Sequence, residues 1–209
     1  LDDIDLLVTE HGAAACALEM AKQKAISDTE KRLRGTFLDR LLIGDVNHQE
    51  AIRQGERFDH DMTRGHLAIV LTWQNKAKSP SNRRLETLVN TIIKNQRADA
   101  LIWQREREQE VLVFHATDPE EPIDSSLQLA KAFSAEIRRQ YPQHKVAVGL
   151  GQTSREIGAW RTSYHDAVQA MHLAIRLQTD TPLYIGDLGV YQLILSLGDR
   201  EKLFEFTER

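Results

Sequence analysis

The sequence has little cysteine and proline, and it lacks long apolar runs. One of its 209 residues is a cysteine, Cys16, and five are prolines. A single cysteine excludes both an internal disulfide framework and a cysteine-based zinc cluster, as is typical of proteins of a reducing cytoplasm. Apolar runs such as LAIVL at 67–71 are too short to cross a bilayer, and the acidic start is unlike a signal peptide. We therefore expect a cytoplasmic protein with no membrane partner.

An excess of positive charge is also absent. The 27 lysine and arginine residues are outnumbered by 31 aspartates and glutamates, which gives a net charge of −4. Such a chain has no overall electrostatic attraction to nucleic acid or to anionic lipid. Its length and its 41% hydrophobic content suffice for one compact domain with an appended element. Because it starts at Leu1 and ends in a helical pattern, we expect it to be a piece of a longer protein.

Residues 12–43 contain no proline and are rich in strong helix formers, so they predict one long helix. Small and apolar residues form a stripe along it, namely Leu18, Ala21, Ala25, Thr29, Leu33, Phe37 and Leu41. From Ala21 onward the steps are of four residues, which departs from the heptad repeat of a long regular coiled coil. Two interpretations remain open: a signalling or dimerisation helix, and a helix packed only on its own domain.

Strand and helix patterns alternate in the rest of the chain. Strands are predicted at 66–73, 100–104, 110–115, 145–151 and 182–186, and helices at 48–58, 81–96, 123–140, 153–178, 188–197 and 201–208. The segment 100–115 predicts a hairpin whose turn, from Arg105 to Gln109, contains no glycine and is expected to be exposed. This order predicts an α+β fold, a mixed sheet with helices that cover one or both faces.

Two stretches near the end of the chain have a recognisable pattern: residues 146–174 read VAVGLGQTSREIGAWRTSYHDAVQAMHLA, and residues 184–195 read YIGDLGVYQLIL. They resemble the GGDEF-like middle domain of PucR/CdaR-type bacterial transcriptional regulators. Residues 30–45 (EKRLRGTFLDRLLIGD) resemble the connector before that domain, and residues 17–33 (ALEMAKQKAISDTEKRL) resemble the last helix of a GAF sensor domain. The resemblance implies a degenerate GGDEF-like sheet of the ferredoxin or palm type, with covering helices and a long N-terminal helix.

The same resemblance implies a division of the chain into three parts. Residues 1–43 would be a helical connector from an N-terminal sensor domain outside this chain. Residues 44–186 would be the GGDEF-like regulatory domain, and residues 187–209 would lead towards a C-terminal helix-turn-helix, also outside this chain. The protein is then expected to act as a homodimer and to contact DNA only through that helix-turn-helix. The effector to which such a regulator responds is not indicated by the sequence.

Catalysis is not expected. GGDEF enzymes are diguanylate cyclases, which hold two metal ions with carboxylates from the first strand and the hairpin, where a glycine pair admits the nucleotide. Here residues 66–78 contain no aspartate or glutamate, and the hairpin reads QREREQ, without the glycine pair. Because both are absent, we interpret Glu106 and Glu108 as part of a solvated turn rather than as metal ligands. We therefore expect no enzyme activity, no metal and no cofactor. A nucleotide- or metabolite-binding domain, degenerate relative to the cyclases, is the alternative function.

The remaining candidate sites are weak. Gly149 and Gly151 end a strand, where they indicate a tight turn or a close backbone approach, with a phosphate cradle as the alternative. No GK[ST] motif follows them, so the pattern is not that of a P-loop. The eight histidines show no metal-binding spacing, and we interpret the segment from Asp59 to Asp61 as a capped, solvated loop.

Overall fold

The computed structural model describes residues 3–189, with side chains from residue 11 onward. The elements in chain order are α1 (Asp3–Ile43), α2 (His48–Arg57), β1 (His66–Trp73), α3 (Asn82–Gln96), β2 (Ala100–Arg105), β3 (Glu110–Ala116), α4 (Pro122–Gln140), β4 (Val146–Leu150), α5 (Trp160–Arg176) and β5 (Leu183–Tyr184). Except for residues 188 and 189, the helices predicted at 188–197 and 201–208 lie outside the described residues. No helix within residues 3–189 combines the length and the apolar composition that crossing a membrane requires.

The five strands form one mixed sheet in the order β2-β3-β1-β4-β5. All neighbours are antiparallel except β4 and β5, which run parallel. The central strand β1 pairs on both sides, since Ile69 lies opposite Val113 of β3 and Leu150 of β4. The α+β fold with a mixed sheet, covering helices and a long N-terminal helix is thus confirmed.

Alternation along the strands gives the sheet two different faces. The α3–α4 face, covered by those two helices, is lined by branched aliphatic side chains such as Leu67, Ile69, Val113 and Val148. The α1–α5 face packs against α5, α2 and the end of α1, and its central strands contribute the smaller residues Ala68 and Ala147, together with Val70, Leu112 and Phe114. Both faces are buried, so every residue of β1 is buried.

Local sequence signals account for the helix boundaries. Asn47 caps α2, because its side chain accepts a hydrogen bond from the Glu50 amide. Arg97 ends α3 in the left-handed conformation (φ 53°), and Pro122 begins α4, where its missing N–H costs no helical hydrogen bond. In the hairpin turn Gln109 takes the positive φ (56°) that glycine usually supplies.

One predicted helix begins later in the structure. The pattern at 153–178 predicted helix from residue 153, but α5 starts only at Trp160, after a 3₁₀ turn at Ile157–Ala159. The reason is an isolated bridge in which the backbones of Ser154 and His66 exchange two hydrogen bonds of 2.7 Å. Ser154 is therefore held in an extended conformation beside the start of β1, and the helix cannot include it.

Candidate functional site

The stripe of α1 is divided between solvent and the domain core. Its N-terminal members are exposed, with Leu18 at 74% and Leu33 at 44%, and Ala21 and Ala25 are exposed as well. Phe37 and Leu41, by contrast, are buried in the core of the α1–α5 face, together with Leu38 and Leu42. The final turns of α1 are therefore part of the domain, whereas the stripe before them has no covering element among the described residues.

The exposed stripe and the buried end lie on opposite sides of α1. At about 100° per residue, the mean direction of Leu18, Ala21 and Ala25 is roughly 150° from that of Phe37, Leu38 and Leu42, and Leu33 lies between the two sectors. One side of the helix thus contacts the domain while the other presents small and apolar residues to solvent. A second element could pack on this stripe without displacing the contacts of the domain.

Two contacts fix the end of α1 to its neighbours. Gly35 lies against the indole of Trp103 in β2, so closely that a Cβ atom there would be 2.5 Å from the indole Nε1. Arg40 forms ion pairs of 2.7 Å with Glu50 of α2 and 3.1 Å with Asp45. A rotation or translation of α1 would therefore disturb both the hairpin and α2.

The hairpin turn lies beside the end of β1 and is held by backbone-directed hydrogen bonds. The Thr72 hydroxyl donates to the Gln109 carbonyl (2.7 Å), and the Lys76 amine donates to the Glu108 carbonyl (3.2 Å). Residues 106–109 are exposed as predicted, but Arg105 is not, because only 14% of its side chain is accessible. The prediction of an exposed turn is therefore wrong for Arg105.

Arg105 belongs to a polar cluster under the hairpin. Its guanidinium forms ion pairs with Glu108 (2.7 Å) and Glu110 (3.0 Å) and contacts the Tyr164 hydroxyl. That hydroxyl donates a 2.8 Å hydrogen bond to Glu110, which is 3% exposed. Burial and the adjacent Glu110 carboxylate raise the pKa of Tyr164 well above its ordinary value, so the phenol stays protonated. The cluster joins the hairpin to α5.

Gly149 and Gly151 lie where α5 crosses β4. A Cβ atom on Gly149 would collide with the Ala167 carbonyl and the Met171 amide, and one on Gly151 would collide with the Ser163 carbonyl. Ser163 accepts a 2.9 Å hydrogen bond from the Ala68 amide through its hydroxyl. Because α5 fills the space above both glycines, they have the role of close backbone approach, and a phosphate cannot occupy that position.

The structure assembles a histidine network that the sequence did not reveal. His60 and His66 are buried with their Nε2 atoms 2.7 Å apart, and His60 Nδ1 lies 2.6 Å from the Asp99 carboxylate. Arg64 forms a 3.2 Å ion pair with the same carboxylate. The interpretation of the segment 59–61 as a solvated loop is therefore wrong for His60, although Asp59 and Asp61 on either side are exposed.

Hydrogen-bond directions fix most protons of this network. His66 Nδ1 faces the Arg64 carbonyl at 2.8 Å and must donate to it, so the neutral ring accepts at Nε2 from His60. His60 Nδ1 lies on the other side of its ring, against the Asp99 carboxylate. Burial and the adjacent His60 lower the pKa of His66 to about 3, and burial lowers the pKa of His60 despite the opposing effect of Asp99. His66 also packs on Trp160 at the start of α5, with ring centroids 4.1 Å apart.

A family comparison agrees with this architecture. The sequence model of the GGDEF-like domain matches residues 43–173, which is more than half of the chain. The chain belongs to the GGDEF-like domain family. The match covers the sheet from β1 to β4 and most of α5, but it excludes nearly all of α1.

Solved GGDEF domains are similar to this GGDEF-like domain at low sequence identity. The GGDEF domain of YfiN (TpbB) from Pseudomonas aeruginosa is 14% identical with a TM-score of 0.45, and the match covers 71% of this chain and 92% of that one. The GGDEF domain of DgcB from Caulobacter crescentus in complex with c-di-GMP has 13% identity, a TM-score of 0.42 and coverages of 74% and 87%. A structure of the coiled coil and GGDEF domain of DgcB from Caulobacter crescentus in complex with c-di-GMP is 10% identical with a TM-score of 0.46, and the match covers 88% of this chain and 100% of that one. No curated protein matches.

The metal ions of GGDEF enzymes do not fit this GGDEF-like domain. At the end of β1 the groups beside the hairpin are the Thr72 hydroxyl and the Lys76 amine, which donate to carbonyls rather than coordinate a cation. The Glu108 carboxylate is paired with Arg105. Within the part of the chain that the structure describes, no three His, Cys, Asp or Glu side chains are grouped so that they could hold a metal ion.

Proposed function

We propose that this GGDEF-like domain is a non-catalytic regulatory and dimerisation segment of a PucR/CdaR-type transcriptional regulator. In the cytoplasm, α1 pairs with α1 of a second copy and relays the state of an N-terminal sensor to the domain. DNA is contacted by a helix-turn-helix outside this chain. The observation that carries the proposal is the division of α1, whose exposed apolar stripe lies opposite its buried end.

The stripe supports pairing with a second copy. Apolar surface with a contiguous pattern is favourable to bury, at about 25 cal/mol per Å². Small residues at Ala21 and Ala25 allow two helices to approach closely, and Leu18 is large enough to pack across the seam. A symmetric pair uses the same stripe on both copies, as an isologous two-fold contact does. It places both domains on the outer sides of the helix pair.

The buried end supports a relay. Phe37 and Leu41 carry any displacement of α1 into the core of the α1–α5 face, and Gly35 carries it to Trp103 of the hairpin strand. Packed elements of this kind exchange discrete arrangements rather than deform continuously. The resemblance of residues 30–45, 146–174 and 184–195 to the PucR/CdaR type supports a regulator as the protein in which this relay works.

The pairing is tested by sedimentation velocity of the intact chain. We expect a dimer for the wild type and a monomer for the double variant Leu18→Lys/Ala25→Lys, because two charges on each helix would be desolvated at the seam. The matched control is Met20→Lys, which is 72% exposed but projects roughly 160° away from Leu18. Met20→Lys should stay dimeric. A monomeric wild type, or equal effects of both variants, would contradict the proposal.

The absence of catalysis is tested separately. The chain is incubated with GTP and Mg²⁺, and the nucleotides are separated by ion-exchange chromatography. We expect the GTP to remain unchanged, because the first strand and the residues after it, 66–78, contain no aspartate or glutamate that could hold a metal ion. Formation of cyclic di-GMP that is lost on heat denaturation would contradict a purely regulatory role.

A further inference from the structure

A cleft of about 750 Å³ lies between the end of α1 and the hairpin turn, and we call it the hairpin cleft. Thr36, Asp39 and Ile43 of α1 line one side of it, and Trp103 and residues 104–108 line the other. Its apolar part consists of Ile43, which is 69% exposed, and the partly buried indole of Trp103. An incompletely buried tryptophan in a concave site is a typical anchor of a protein interface.

The hairpin cleft lies on the same side of α1 as the exposed stripe. Thr36 and Ile43 lie about five helical turns after Leu18 and Ala25, respectively, at 3.6 residues per turn. They therefore project in the direction of Leu18 and Ala25, away from the side through which the end of α1 packs on the domain. The stripe thus does not end where the domain begins, because it continues as one wall of the hairpin cleft.

This position indicates what covers the cleft. In a parallel, two-fold symmetric pair of α1 helices, each residue of the stripe faces the same part of the stripe in the other copy. The element that lies over Ile43 in such a pair is therefore the end of α1 from the second copy. Burial of the exposed Ile43 and of the open edge of Trp103 adds apolar contact area at this end of the pair.

The charges of the hairpin cleft are of both signs, as a contact between two identical surfaces requires. Arg105 and Arg40 are already neutralised by ion pairs within the domain. Asp39, Glu106 and Arg107 are exposed and form no ion pair with any residue described with its side chain. Across a two-fold axis, an acid of one copy can face the base of the other, whereas a strongly charged partner would require a surface of one sign.

We propose that the hairpin cleft is part of the α1 interface and is filled by the end of α1 from the second copy. This role of the cleft rests on the proposed pairing of α1 and extends it to the hairpin. Ile43 of each copy is covered by the other copy, and the turn at 106–108 lies alongside the second α1. The hairpin then responds to the arrangement of the pair directly, in addition to the route through Gly35 and Trp103.

The contribution of the cleft to pairing is measured by sedimentation equilibrium of the full chain. Ile43→Lys should raise the dissociation constant of the dimer at least about tenfold, because it places a charge in an apolar contact. Arg107→Gln should raise it less, since charges at the rim of an interface contribute little affinity. The matched control Met20→Lys should leave it unchanged. All three side chains are exposed, so the variants should have the melting temperature of the wild type.

The contact between α1 and the hairpin of the other copy is tested by cross-linking in a Cys16→Ser background. A tagged chain with Ile43→Cys is co-expressed with an untagged chain with Glu106→Cys, and a short bismaleimide is added. We expect a cross-linked mixed dimer, which is recognised by its intermediate mass in a denaturing gel. The control replaces Glu106→Cys by Glu120→Cys, an exposed site at the other end of the sheet, and should give no mixed product.

Leu18→Cys in the same background separates this inference from the pairing on which it rests. If Leu18→Cys cross-links to itself while the mixed product with the hairpin is absent, α1 pairs but the hairpin cleft is not part of the interface. The same conclusion follows if Ile43→Lys dimerises as tightly as Met20→Lys. A monomeric wild type that gives neither product overturns both proposals.

Discussion

The two faces of the sheet are built from different kinds of residue. The α3–α4 face contains aliphatic side chains that pack on two amphipathic helices, as any stable sheet requires. The α1–α5 face contains the glycines Gly149 and Gly151, the buried charges of Glu110 and Arg105, and His66. Aliphatic packing of this kind accounts for the stability of the sheet and for nothing more. Polar groups and close backbone contacts make the position of a helix specific, and they couple it to other elements.

Under the proposed relay, this difference assigns the moving contacts to the α1–α5 face. On the α1–α5 face, α1 contacts α2 through Arg40, the hairpin strand β2 through Gly35, and also α5. The hairpin in turn contacts α5 through Arg105 and Tyr164. A displacement of α1 changes contacts at Gly35 and Trp103, and a change at His66 alters the support of Trp160. The α3–α4 face has a buried polar contact between His115 and Ser126 but is otherwise mainly apolar, so we expect it to act as the rigid support of the sheet.

Gly149→Ala tests the close approach of α5 and should give the largest effect. The added methyl group meets backbone atoms of Ala167 and Met171, which cannot move away as a flexible side chain can. We expect a loss of about 3 kcal/mol in the free energy of unfolding, measured with urea. The control, Gly158→Ala, has open space around its Cβ position and should change stability by less than about 0.5 kcal/mol. Similar effects of both would show that α5 does not need this contact.

Acid should destabilise the domain through its buried histidines. The folded state holds the pKa of His66 at about 3 and that of His115 at about 4, whereas the ordinary value is 6.5. Between these values the unfolded chain binds more protons, so stability is fully present above pH 6.5 and is lost as the pH falls. We expect the protonation of each histidine to lower the free energy of unfolding by about 2 kcal/mol as the pH falls from 6.5 to 5.

The two histidines allow the faces to be compared directly. His66 belongs to the α1–α5 face, while His115 bonds to Ser126 of α4 on the other side of the sheet. Either His66→Phe or His115→Phe should lower the number of protons that the chain takes up on unfolding in acid by about one. Only His66→Phe should also change the fluorescence of Trp160. The exposed control His172→Gln should keep the full dependence, and a wild type whose stability is independent of pH would contradict the account.

Substitutions at two glycines of α1 compare its buried end with its exposed part. Their effects on the free energy of unfolding should be smaller than that of Gly149→Ala. Gly35→Ala forces a methyl group against Trp103 and should cost about 1–2 kcal/mol in unfolding free energy. Gly12→Ala lies in open helix, where alanine is favoured, and should stabilise by up to about 1 kcal/mol. Thermal unfolding followed by circular dichroism measures both. Equal signs for the two substitutions would show that the end of α1 is not held by the domain.

Much of the fold could be predicted from the sequence. The strand β1 was predicted with its observed bounds, because eight residues between polar segments are typical of a buried strand. The hairpin and α4 were predicted to within two residues, since charged turns and Pro122 delimit them. The start of α5 was wrong, because the bridge between Ser154 and His66 is a long-range contact that local propensity does not contain.

The candidate sites were less predictable. The apolar stripe of α1 could be recognised, but which half contacts the domain depends on the position of Trp103 in the folded sheet. His60 and His66 are six residues apart, but Asp99 is distant from both in sequence and reaches His60 only through the order of the strands. The division into residues 1–43, 44–186 and 187–209, the PucR/CdaR type and the GAF connection remain predictions.

The pairing of α1 is the central claim, and the single cysteine allows it to be measured directly. Cys16 is exposed and projects away from the stripe, so a nitroxide label on it should not disturb the pair. In pulsed electron paramagnetic resonance of the full chain, a parallel helix pair predicts one distance of roughly 20–30 Å between the two labels. This distance between the labels should be absent in Leu18→Lys/Ala25→Lys and present in Met20→Lys. A decay typical of isolated spins in the wild type would contradict the claim.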